Sequence, residues 1–92
     1  MGSPAVDHFL ARADAVLGRL AAAGRAGPSP SGVNLAAMAA DIQRMRRAAA
    51  QDEMPPRHLR YRNLTRIIVD QWPLADPLGA LIAELEDQYI RL

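Results

Sequence analysis

The chain has 92 residues, enough for one small domain; it is 50% apolar but only 4% aromatic, with a formal net charge of +1. It contains no cysteine, which excludes a disulfide framework, thiolate metal sites and a cysteine nucleophile. No apolar run approaches the roughly 20 residues that span a bilayer, and the near-neutral charge gives no bulk case for nucleic acid.

The first segment with helical periodicity runs over 4–23. Ser3 is its expected cap, Pro4 suits the first helical position and Gly24 is its expected stop. Val6, Phe9, Leu10, Ala13, Val16, Leu17 and Leu20 recur at three- and four-residue spacing and so share a face. A linker rich in glycine, proline and serine follows over 24–31. The second segment covers 32–51, with Ser31 as its expected cap. Leu35, Met38, Ile42, Met45 and Ala49 follow the alternating spacing of a bundle seam, and Pro55-Pro56 closes the region.

The pattern then predicts a helix over 56–72. Tyr61, Leu64, Ile67, Ile68 and Trp72 form its broad apolar surface, while Leu59 and Val69 fall off that face. So wide an apolar girth implies more than one contact partner. The last segment, 77–92, opens with Asp76 as cap and Pro77 at the first helical position. Leu78, Leu81, Ile82, Leu85, Tyr89 and Leu92 make its stripe. No segment alternates with the period of a strand. The expected fold is a single all-α domain over 1–92, an antiparallel up-and-down four-helix bundle with the capacity to dimerise.

All cationic side chains are arginines, and the alanine load beside them fits the codon bias of a GC-rich bacterial genome. The opening Met1-Gly2-Ser3 has the composition of an expression scar, and no secretion signal follows it, so the expected compartment is the cytoplasm. Charge is segregated along the chain. Arg57, Arg60, Arg62 and Arg66 against Asp70 give 55–75 a balance of +3, and Asp76, Glu84, Glu86 and Asp87 against Arg91 give 76–92 a balance of −3. Those two patches can neutralise each other within one chain or dock onto another protein. Arg57, His58 and Arg60, at the expected start of the third helix, are the candidate anion site, because free amides and the helix dipole favour an anion there.

Other chemistries lack their constellations. Small four-helix carrier proteins need a serine in a DSL-like motif at the start of the second helix, but here Ser31 is followed by Gly32-Val33. All-helical chorismate mutases match in size and clamp a dicarboxylate with arginines, but their usual lysine has no counterpart here. His8 and His58 stand at unrelated spacing, which argues against a metal or haem site, and no cofactor is expected. The resulting expectation is a bacterial interaction module without catalytic activity, of adaptor, regulatory, chaperone-like or immunity type, that binds itself or another protein. Its expected contact residues are Tyr61, Arg62, Arg66, Trp72, Glu84 and Asp87; Trp72 has a competing role as a core plug. The alternative is a phosphate- or carboxylate-bearing ligand, or a nucleic-acid backbone, on the arginine-rich third segment.

Overall fold

The computed structural model describes residues 3–26, 34–60, 63–72 and 76–92. Among these it contains four α-helices, α1 (Pro4–Ala26), α2 (Leu35–Ala50), α3 (Asn63–Gln71) and α4 (Pro77–Arg91), with a single 3-10 turn at Arg57–Leu59. No described residue lies in a strand, and no helix of the described chain is long and apolar enough to cross a membrane.

Local chemistry sets most of the boundaries. Ser3 Oγ accepts a hydrogen bond from Val6 N (3.1 Å) and so caps α1. Asp76 accepts from Leu78 N (3.0 Å), with Pro77 in the first turn of α4, where a missing N–H costs nothing. At the far end of α2, Asp52 takes a left-handed conformation (φ 53°). Glu53 N then donates to Ala48 O and Asp52 N to Ala49 O, the paired bonds that end a helix after its last regular turn.

Three boundaries differ from the sequence expectation. Helix α1 passes through Gly24 to Ala26, since an exposed glycine costs a helix about 1 kcal/mol without stopping it. Helix α2 starts at Leu35, because Asn34 accepts from Ala37 N (3.0 Å) and is a strong cap; Ser31 and most of the expected linker lie outside the described residues. The third change is the largest. The helix expected over 56–72 is instead a 3-10 turn, an extended Arg60 (φ −94°, ψ 99°) and the nine-residue α3.

The helices pack α2 on α1, α1 on α4 and α4 on α3. Phe9, Ala13, Val16 and Leu20 of α1, Met38, Ile42 and Ala49 of α2, Leu64 of α3, and Leu78, Ile82, Leu85 and Tyr89 of α4 form one buried cluster. Trp72 joins it just beyond α3. The Phe9 and Tyr89 rings lie 5.5 Å apart, which fixes the start of α1 beside the end of α4. The body measures 40 × 24 × 20 Å.

Candidate interaction surface

Helix α3 has only nine residues, too few to be stable by propensity, and its first amides have no partner within the helix. Glu86 of α4 supplies one. Its carboxylate accepts from Leu64 N (2.9 Å), Thr65 N (2.8 Å) and Thr65 Oγ1 (2.7 Å). The residue is 2% exposed and is the only buried charged side chain among the described residues. Charge-assisted bonds to backbone amides at a helix start repay the desolvation of a carboxylate. The start of α3 thus carries an anion from the protein itself, at Leu64 and Thr65.

The C-terminal end of α4, just beyond Glu86, is held by arginines. Arg57 donates to Arg91 O (2.8 Å) and Leu92 O (3.4 Å). Arg60 donates through Nε to Pro55 O (2.7 Å) and through a terminal nitrogen to Tyr89 O (3.1 Å) and Ile90 O (3.4 Å). Its guanidinium carbon stands 5.6 Å from the centroid of the Tyr89 ring. The last carbonyls of a helix lack intrahelical donors, and cations suit that negative end. Burial raises the Tyr89 phenol above its ordinary pKa, an effect opposed by the nearby Arg60 charge.

These bonds engage two of the three groups of the expected anion site. No α-helix starts at 56–60, where the chain makes a 3-10 turn, and Arg57 and Arg60 donate to α4 carbonyls. His58 is exposed on the 3-10 turn. Trp72 occupies the place of a core plug, the second of the two roles open to it. It is 5% exposed, and a Cβ built on Gly79 would lie 2.7 Å from its Cδ1, so α4 needs glycine to pass the indole. Tyr61 and Arg62 lie outside the described residues. Arg66 is exposed on α3, and Glu84 is exposed on α4 beside the half-buried Asp87, which pairs with Arg91 (3.0 Å). Glu86 was missed as a site residue, although the sequence held its signal. It follows Ile82 by four and precedes Tyr89 by three, which puts a carboxylate on the buried face.

Among the depressions of the described surface are two that border expected site residues. One, of about 470 Å³, separates α2 from α3. Met45, Ala48, Leu59, Leu64 and Tyr89 give it apolar walls, and Asp41, Arg44 and Glu53 stand among its charged lining residues. Leu59 is 46% exposed beside it, and Val69 is 71% exposed on α3. The other is a shallow trough of about 600 Å³ over α4, lined by Arg12, Thr65, Glu84, Asp87, Gln88 and Arg91 among others. No group of three or more metal-ligating side chains occurs among the described residues. No protein-family model matches the chain, and no curated protein matches it.

Proposed function

We propose that this chain is a small cytoplasmic protein–protein interaction module without catalytic activity, built as an antiparallel up-and-down four-helix bundle. The paired positions Asp14 with Arg46, Phe9 with Tyr89 and Leu64 with Glu86 support that topology. One observation carries the functional reading: α2 and α3 each pack substantially on one other helix, leaving a groove with apolar walls between them. The groove and its mixed charges suit an amphipathic helix presented by another protein, a recurrent mode of recognition. The competing reading, a phosphate or carboxylate held by Arg57, His58 and Arg60, is weakened because two of its three groups already serve α4 carbonyls.

The test compares the wild-type chain with Leu59→Arg as bait in a lysate of the source organism, alongside a thermal-shift series with phosphate and dicarboxylates. Leu59 is exposed, so the substitution should leave the fold intact. A protein retained by the wild type and released by the variant supports the reading. Strong stabilisation by one anion, with no protein retained, overturns it.

A further inference from the structure

We propose that two copies of this chain associate across the seam between α1 and α4, about a twofold axis that runs along it. The proposal rests on the interaction-module reading and uses a surface other than the α2–α3 groove. Its starting observation is the distribution of charge along the seam. Arg12 and Arg19 are exposed on the α1 side, and Glu84 and Asp87 stand on the α4 side. Arg12 and Glu84 border both the 600 Å³ trough and an adjoining depression of about 210 Å³ that is lined by Ala15, Val16 and Leu81. The two depressions thus form one concave strip, with Arg12 and Glu84 at the same height on opposite edges.

No ion pair within the described chain uses Arg12, Arg19 or Glu84, whereas Asp14, on the flank of α1 facing α2, is paired with Arg46. A twofold axis along the strip preserves height and exchanges edges. It sets Arg12 of each copy against Glu84 of the partner subunit, twice over, so the surface is complementary to itself. The floor of the strip is made of small and aliphatic side chains, Ala5, Ala15, Val16 and Leu81 among them. From Ala5 to Arg19 the helix covers about 21 Å at 1.5 Å per residue, enough for a contact of two helices against two.

Sedimentation equilibrium on the full chain tests the proposal, with Arg12→Glu, Glu84→Arg and their equimolar mixture. Both side chains are exposed, so far-UV circular dichroism should match the wild type in each variant. The wild type should dimerise, more weakly as salt shortens the range of the charges. Each reversal sets like charges together twice and should weaken association by about tenfold or more. Mixing the two variants opposes every introduced charge with its complement, so it should restore dimer as heterodimer; the double variant should dimerise on its own.

A wild type that stays monomeric throughout a dilution series overturns the proposal, even where it retains a partner released by Leu59→Arg. So does a dimer that ignores both reversals, or a pair of variants that fails to recover on mixing. A reversal-sensitive, mixing-rescued dimer supports the proposal even where no other protein is captured.

Discussion

Helices α1 and α2 bring two long apolar stripes together, and the ion pair that joins them, Asp14 with Arg46, lies at the solvent edge. Helix α3 meets α4 through a buried carboxylate, while the chain leading into α3 grips the C-terminal carbonyls of α4, just beyond that carboxylate, through two arginines. Helix length accounts for the contrast. With 23 and 16 residues, α1 and α2 bury enough apolar surface to hold each other, so polar contacts need only trim the edge. The nine residues of α3 bury only Leu64 fully, so hydrogen bonds from its neighbour must satisfy its first amides. The short α3 thus adds a hydrogen-bonded start to the packing of Leu64, Ile67 and Ile68 along its side.

The largest expected loss comes from Glu86→Ala, which strands the amides of Leu64 and Thr65 beside a cavity. Urea denaturation should show a loss of about 2–4 kcal/mol, and Glu86→Gln, which keeps an acceptor, a smaller one. Next comes Gly79→Ala. Its Cβ would meet the Trp72 indole, so overpacking of about 1–3 kcal/mol should outweigh the roughly 1 kcal/mol gained in helix propensity. A stability equal to or above wild type would show that the indole moves aside freely.

Arg60→Ala should cost about 1 kcal/mol in thermal unfolding, through the lost carbonyl bonds and the stacked Tyr89. Arg60→Lys should recover part of that, since one ammonium cannot reproduce the fork that spans Pro55 O and Tyr89 O. The smallest effect belongs to Asp14→Asn in the other half. The Arg46 guanidinium, hydrogen-bonded to Asp14, holds its carboxyl below the usual pKa. The pair therefore contributes above about pH 4, the carboxylate's unfolded value, and is lost as acid protonates the folded form. The difference between wild type and variant should be slight at neutral pH and vanish in acid, because both groups face solvent.

Helices α1 and α4 were legible because their packing is periodic and their caps are local: Phe9, Ala13, Val16 and Leu20 fall on one face, and Asp76-Pro77 announces a start. The region from Arg57 to Arg60 was misread because a 3-10 turn and the first turn of an α-helix look alike in sequence. Carbonyls some thirty positions further along the chain, at Tyr89 and Arg91, decide that region. Arg60 must be extended to reach them, and no local pattern encodes that demand. The charge segregation was visible, yet its use was not. Opposite charges at Glu86 and Arg57 meet backbone dipoles rather than each other.

Trp72 is the sole tryptophan of the chain, and its indole lies against Gly79 with Nε1 buried and without a hydrogen-bond partner among the described residues. Its fluorescence is thus a built-in reporter of one junction, blue-shifted while α3 and α4 stay closed. If the junction opens before the longer helices melt, the emission maximum will move to the red at a lower urea concentration than the far-UV helical signal.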